Sequence, residues 1–373
     1  MRDTNARVVL SFIRRHGALP SAEIARRSGL SAQTVSNIIR ALETDGLLKR
    51  EQAVKGKVGK PSIPMALDPK GVFSLGLNIG RRTSELVLVD FNGTRIAART
   101  TTYAFPEIER VFSFLTTGIK SILDNHPEAK PLIAGIGVAS PNKIWEWLEV
   151  VDAPQDAMRK WQDLDIADEI KARTGLSAVT ENDATSACVA EHLIGRGSEF
   201  ADFAYIFVGS FVGGGLVLGN KVISGPTHSA AGIGPLPVPD GKGGTTQLLN
   251  VASLYVLERN LANAGLDPKR LRQFQGDWSD FADYVAPWIE DTGRNLAIAA
   301  AAIASVVEVE AVLLDGAMPE AIRHRLTECT RRNFSELDTT GIGQLRIEEA
   351  ATGPGARSVG AALLPIHSKY FLA

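Results

Sequence analysis

Residues 179–188 read VTENDATSAC. An apolar run from Leu176 to Val179 leads into Glu181-Asn182-Asp183, and a helical pattern follows at once. A strand that passes through polar residues into a helix is the β-to-α junction of an α/β fold. Two readings of its acidic residue stand side by side. Asp183 could be the general base of an enzyme. Asn182 and Asp183 could equally cap the helix, since such side chains satisfy the unpaired N–H groups of a first turn.

The same alternation extends in both directions. FSLGLNIG (73–80), SELVLVD (84–90) and RIAARTTTY (95–103) predict three strands, with Asn92-Gly93 a strong hairpin signal. A helix over 108–123, the strand LIAGIGVAS (132–140), a helix after Trp161 and the strand GLSAVT (175–180) complete one set. Beyond Gly195, AYIFVGSFVGGGLVLGNKVISG (204–225) predicts a glycine-rich hairpin between apolar strands. Helices are expected from Leu248 to about Val307, with Trp278 and Trp288 as core anchors. VEAVLLDG (309–316) reads as a late strand and GARSVGAALLPIHSKYF (355–371) as a closing helix. Strand triplets followed by crossover helices, occurring twice, predict two α/β lobes.

Upstream the pattern is different. Thr4–Arg15 carries a helical stripe of Val8, Val9, Phe12 and Ile13. Pro20-Ser21 opens a second helix, with Ser21 the expected N-cap and Ile24 and Ala25 facing inward. Gly29 ends it. Ser31 caps a third helix whose buried stripe is Val35, Ile38, Ile39 and Leu42. Its opposite face shows Gln33, Ser36, Asn37 and Arg40, side chains that read base edges in a major groove. Gly46–Arg50 and Ser62–Leu67 predict two strands, and the loop VKGKVGK between them is suited to phosphates. This is a winged helix-turn-helix over residues 1–68, with residues 69–373 forming the α/β body. Ser31, Gln33, Thr34, Ser36, Asn37, Arg40, Lys55, Lys57 and Lys60 are the candidate DNA-binding residues. A small helical dimerisation or protein-binding domain with an exposed polar face is the bland alternative.

Charge supports the first reading. The first sixty residues hold twelve Lys or Arg against five Asp or Glu, a formal +7, while the remainder carries −9. A basic end on an acidic body points to a polyanionic partner. At 373 residues and 45% hydrophobic content the chain has length for two or three globular domains. No Cys or His spacing suits a metal, and two scattered cysteines fit a reducing cytoplasm. No signal peptide is expected. The longest apolar run, LAIAAAAIASVV (296–307), is too short to cross a membrane and reads as a buried helix.

Taken in order, SGLSAQTVSNIIRALETDGLL, GIGVASP, VTENDATSACVAEHL and VGSFVGGGLVLGNKVISG resemble the ROK family of repressors, open reading frames and sugar kinases. The resemblance covers nearly the whole chain. It implies an actin-like, two-lobed sugar-kinase fold, related to ASKHA and RNase H-like domains, with sugar bound in the cleft. It also implies that Asp183 stands at the family's catalytic base and Asn182 at a sugar ligand.

Several family elements are altered. The first phosphate loop, Asp-x-Gly-Gly-Thr in the kinases, is Asn78-Ile79-Gly80-Arg81-Arg82 here. The second keeps Gly213-Gly214-Gly215 but has Phe211 at a glycine position, and a turn is the expected role of those three glycines. The zinc segment has Gly232 at a Glu, Pro235 at a His, no cysteine, and Leu249 at a further Glu. Zinc of the family type is therefore not expected, nor any other cofactor. Phosphoryl transfer needs held and neutralised phosphates, so Asp183 is expected to be a relic that contacts ligand or caps its helix. Ser140, Asn142 and His228 join Asn182 and Asp183 as candidate effector-binding residues, Ser140 and Asn142 because open α/β sheets bind ligands at strand ends.

The expected protein is a cytoplasmic, DNA-binding regulator, a dimer or tetramer on a palindromic operator, answering to a sugar-like effector. The rivals are an ATP-dependent sugar kinase that also binds DNA, and a regulator whose body is only a dimerisation scaffold.

Overall fold

A computed structural model describes residues 4–53, 62–146, 153–273 and 278–372. The chain divides into two compact units, residues 1–183 with 358–373, and residues 184–357.

The first unit begins with α1 (Thr4–His16), β1 (Leu19–Pro20), α2 (Ser21–Ser28), α3 (Ala32–Thr44), β2 (Leu48–Arg50) and β3 (Pro64–Leu67). Val9, Leu10 and Ile13 of α1 meet Ile24 of α2 and Val35, Ile39 and Leu42 of α3 in a buried core. Leu10 therefore takes a place expected of Val8 and Phe12, which are half-buried. Gly29 ends α2 with φ 71°, its N–H donating to Ala25 O. That left-handed conformation suits glycine, which has no Cβ to clash. Ser21 is not the cap of α2: Pro20 occupies that position in extended conformation, paired with Pro64 in the sheet. Strands β1, β3 and β2 form a three-stranded sheet, with Leu48 opposite Leu67 and Arg50 opposite Met65. The helix-turn-helix and both wing strands are thus present. The wing loop with Lys55, Lys57 and Lys60 lies outside the described residues.

The same unit contains β4 (Phe73–Ile79), β5 (Thr83–Asp90), β6 (Arg95–Thr102), α4 (Ile108–Asn125), β7 (Ile133–Ser140), α5 (Gln155–Arg159), α6 (Ile166–Thr174) and β8 (Ala178–Asn182). The sheet order is β6-β5-β4-β7-β8, antiparallel through β4 and parallel from there. Leu75, Leu77, Ile79, Leu86 and Leu88 share one buried core with Val111, Phe112 and Leu115 of α4.

The second unit holds α7 (Asp183–Ile194), whose first residue belongs to the first unit, then β9 (Phe203–Val208), β10 (Val212–Leu218), β11 (Lys221–Val222), β12 (Pro237–Pro239) and β13 (Thr245–Gln247). It continues with α8 (Leu254–Asn263), α9 (Lys269–Gln273), α10 (Ala282–Val306), β14 (Ala311–Gly316), α11 (Glu320–Ser335) and β15 (Arg346–Glu349). Its sheet order is β11-β10-β9-β14-β15, again antiparallel in the first three strands and parallel in the last three. Both units therefore repeat one plan, strand order 3-2-1-4-5, as two α/β lobes require. Trp278 and Trp288 are buried as expected. The run at the end of α10 is buried only at first: Leu296, Ala297, Ala299 and Ala300 are inside, whereas Val306 is exposed.

The chain returns to the first unit through α12 (Ala356–Tyr370). Two glycines on neighbouring strands, Gly76 and Gly137, sit side by side in register and form a trough for this helix. A Cβ at Gly137 would lie 1.7 Å from Ala361 O, and one at Gly76 2.1 Å from Ser358 O. In the second unit Gly213 and Gly215 do the same for α7, where added Cβ atoms would meet Ala184 Cβ at 2.8 Å and Cys188 Cβ at 2.3 Å. These glycines lie within β10 and do not form the expected turn. The turn is Gly209-Ser210-Phe211, and the glycines bring helix and strand together.

Candidate nucleic-acid interface and effector site

Helix α3 presents the polar face that its spacing predicts. Ser31 caps it, its Oγ accepting from Thr34 N at 3.1 Å and lying 2.8 Å from Thr34 Oγ1. Both hydroxyls are thereby given to the helix start. Gln33 Nε2 donates to Asn37 Oδ1 at 3.1 Å, which holds two exposed amides as one element. Arg40 is exposed one turn further on and has no ion pair among the described residues, while Ser36 and Thr34 are half-buried. Gln33, Asn37 and Arg40 are therefore the side chains of α3 best placed to reach base edges.

The remaining head charges are organised. Glu23 accepts from Arg26 at 2.6 Å and Arg27 at 2.6 Å, which holds its carboxyl down to about 2. Arg50 pairs with Glu43 at 2.6 Å. Arg7 and Arg14, counted above as polyanion-facing charge, turn the other way and meet the end of α12. Sequence periodicity held no sign of this, because their partners lie over 350 residues away in the chain for Arg7, and in a β-turn and a terminal ring for Arg14.

In the first lobe, β4, β7 and β8 are parallel, so their C-terminal ends lie along one sheet edge. Ser140 and Asn182 are direct neighbours there. Asn142 follows two residues later, and Asp183 opens α7, where a carboxylate suits the positive end of the helix dipole. Ser140, Asn142, Asn182 and Asp183 are all half-buried. At the same end of β4, Asn78 is 4% exposed, and its Oδ1 has no hydrogen-bond partner among the described residues. A buried acceptor left unpaired is costly. A ligand hydroxyl donated to it would remove that cost, and Asn78 was not among the sequence candidates for this reason. His228 lies in the second unit, exposed, with φ 51°.

The turn after Asn78 is a tight hairpin. Gly80 N donates to Thr83 O at 2.9 Å and Gly80 O accepts from the Tyr103 hydroxyl at 2.7 Å. Its amide, which a phosphate loop would offer to an anion, is committed to the sheet. The second hairpin is likewise tied down. Gly209 O and Ser210 O accept from Leu254 N and Tyr255 N at the start of α8, and Val212 N donates to the buried Ser253 Oγ at 2.9 Å. Phe211 packs on Tyr255 with ring centroids 5.6 Å apart.

Where a zinc element stood in the resemblance, β12 and β13 form a small hairpin. Asp240 closes it by accepting from Lys242 N at 2.7 Å and Gly244 N at 2.9 Å, and these bonds hold its carboxyl below the usual range. Gly232 and Pro235 are exposed and Leu249 is buried. The loop before this hairpin carries strain at two non-glycine residues, His228 and Ala231, the latter with φ 52°. Ala231→Gly is expected to raise stability by about 0.5 kcal/mol: relief of about 1–2 kcal/mol of left-handed strain outweighs the added entropy of the unfolded chain. Thermal melting of the two proteins side by side measures it, and a lower Tm for the glycine variant contradicts it.

The second lobe contains a buried polar network that sequence reading missed. Glu191 of α7 is fully buried and accepts from Arg196 N at 2.9 Å, Ala351 N at 3.0 Å, Thr352 N at 3.0 Å and Thr352 Oγ1 at 2.5 Å. Asp315, at the end of β14, accepts from Tyr205 Oη at 2.8 Å and Gly353 N at 3.0 Å, and burial raises its pKa against these bonds. The signal available was a lone acid within the small and apolar run ATSACVAEHLI, where a solvated face is absent.

Comparison with known proteins agrees with this architecture. The ROK family model matches residues 74–367, and the MarR family model matches residues 4–57. The xylose repressor of Bacillus subtilis is 20% identical over 240 residues, 64% of this chain and 61% of that protein, so the match spans about three fifths of the relative's length. The crystal structure of a ROK family transcriptional regulator, a homologue of the Escherichia coli MLC protein, superposes with a TM-score of 0.68 at 20% identity, covering 97% of this chain and 95% of that one. A ROK family glucokinase from Streptomyces griseus, in complex with glucose and AMPPNP, gives 0.61 at 22% identity over 78% of this chain and 98% of its own.

Proposed function

Because this chain belongs to the ROK family and opens with a MarR-type winged helix, we propose that it is a transcriptional repressor whose operator binding answers to a sugar or sugar derivative. Residues 1–68 read double-stranded DNA, and residues 69–373 dimerise and sense the effector, in the cytoplasm where the DNA is. The exposed Gln33–Asn37–Arg40 face of α3 carries this reading, because it has base-reading chemistry on the helix that a winged head inserts into the major groove. The name of the Bacillus relative supports repression and points to a pentose or related polyol. Two heads imply a two-fold symmetric operator.

The effector contacts are Ser140, Asn142, Asn182 and Asp183 at the strand ends, with Asn78 beside them. Hydroxyl-rich ligands suit a set of amide, hydroxyl and carboxylate groups. No cofactor is needed for this role.

Arg40→Ala is expected to weaken operator binding about 10–100-fold, the worth of one bidentate base contact. Electrophoretic mobility shift on a fragment selected by the protein itself tests it, and an unchanged Kd sinks the assignment of α3. Lys57→Ala should weaken binding on all sequences alike and flatten its salt dependence by about one ion.

A kinase reading shares the fold with the glucokinase. The commitment of Gly80 N to Thr83 O and the anchoring of the 209–211 hairpin to α8 weigh against it. ATP turnover abolished by Asp183→Asn would establish the enzyme instead.

A further inference from the structure

We propose that Gln33 and Asn37 act as one fixed clamp that reads a single adenine in each operator half-site, an assignment that rests on the DNA-reading role given to the head above. Two observations carry it: the lack of charge at the start of α3, and the hydrogen bond that joins the two amides.

The head is basic, with a formal +7 over its first sixty residues, yet the first two turns of α3, residues 32–39, hold no charged side chain. Arg40 is the first charge on the exposed face, and Glu43 beyond it is taken by Arg50. An uncharged surface gains little from phosphates, whose attraction is for cations. It selects bases through hydrogen bonds instead, and the N-terminal turns are the part of a recognition helix that meets base edges. Among the polar side chains here, Ser31 and Thr34 bond each other and the helix start, and Ser36 is half-buried. Gln33 and Asn37 remain, and both are exposed.

Residues four apart share one face of a helix. Gln33 Nε2 donates to Asn37 Oδ1 at 3.1 Å, which uses a donor of one amide and an acceptor of the other. The bond leaves Gln33 Oε1 as an acceptor and Asn37 Nδ2 as a donor, side by side. Adenine is the one base that sets a donor beside an acceptor on its own major-groove edge, N6–H₂ next to N7. Guanine shows two acceptors, cytosine a donor, and thymine an acceptor with a methyl group. Gln33 Oε1 therefore accepts from adenine N6, and Asn37 Nδ2 donates to N7. Joining the amides before DNA arrives also removes rotamer freedom that binding would otherwise have to freeze.

Sequencing the fragments that the full chain retains from a random DNA library tests this, for the parent and for Gln33→Ala and Asn37→Ala. Both positions are exposed and alanine favours helix, so the variants keep α3. The parent should return half-sites with one invariant adenine column, and each variant should lose that column while keeping the others. On the parent's selected fragment, 7-deazaadenine in that column replaces N7 by C–H and leaves base pairing intact. It should weaken parent binding about fivefold, the worth of one neutral hydrogen bond, and weaken Asn37→Ala no further. An adenine column that survives both substitutions is selected by DNA shape and overturns the proposal. So does a G·C pair in its place, or an equal penalty from 7-deazaadenine in parent and Asn37→Ala. Retention of no sequence by the parent would sink the repressor assignment and the clamp with it, whereas a selected operator without the adenine column sinks the clamp alone.

Discussion

Gly137→Val is expected to remove the first lobe's fold, lowering stability by about 3 kcal/mol or more. The expectation follows from what would be struck. The Cβ would fall 1.7 Å from Ala361 O and 2.4 Å from Ala361 C, both backbone atoms of α12. A backbone cannot step aside by a rotamer change, so the helix must lift from the sheet and uncover the face around Gly76. Gly175→Ala is the matched control. Nothing among the described residues stands within 4 Å of its Cβ position, and φ is 74°, so the cost is left-handed strain alone, about 1–2 kcal/mol. Equilibrium urea unfolding separates the two. Equal midpoints for both variants would mean that α12 yields where it is described as locked.

Glu191→Ala should destabilise the second unit by about 4 kcal/mol, the scale for leaving several buried groups without their charged partner. The carboxylate gathers three backbone amides and one hydroxyl from two places in the sequence, residue 196 and residues 351–352. Alanine leaves all four donors facing a cavity. Glu191→Gln is expected to fall between, because its amide keeps one acceptor oxygen and turns an N–H₂ towards other donors. The ordering of parent, Gln and Ala in thermal melting is the critical result. If Ala were as stable as Gln, the donors would have found other partners and Glu191 would be dispensable.

Much of this fold was legible because the relevant interactions are local. The apolar runs of β4, β5, β7, β9 and β14 and the hairpin signal Asn92-Gly93 each act over a few residues. Strand β15 was missed because RIEE is short and charged and buries only Ile347. Ser21 was misread as a cap because Pro20 is claimed by a sheet partner, Pro64, far along the chain. The glycines of β10 were misread for a similar reason. A glycine that permits a close approach looks like a glycine that permits a turn until its neighbour is known. Of the candidate sites, Gln33, Asn37 and Arg40 followed from helical spacing alone. Asn78 needed the sheet to reveal its buried, unpaired oxygen, and Arg7 and Arg14 needed α12.

Helix α12 belongs to the first unit yet is encoded after the whole of the second. During synthesis, residues 1–183 emerge long before residues 358–370 exist to fill the Gly76–Gly137 trough. Domains generally fold as they are made, but this head and lobe must wait for their last helix, while residues 184–357 can close as a continuous stretch. A nascent or prematurely ended chain would thus leave Arg7 and Arg14 without the carbonyl and the ring that they meet at the end of α12. Only a polypeptide translated through α12 can make these contacts between its head and its last helix. Completion of the chain is in this way a condition for joining the head to its last helix.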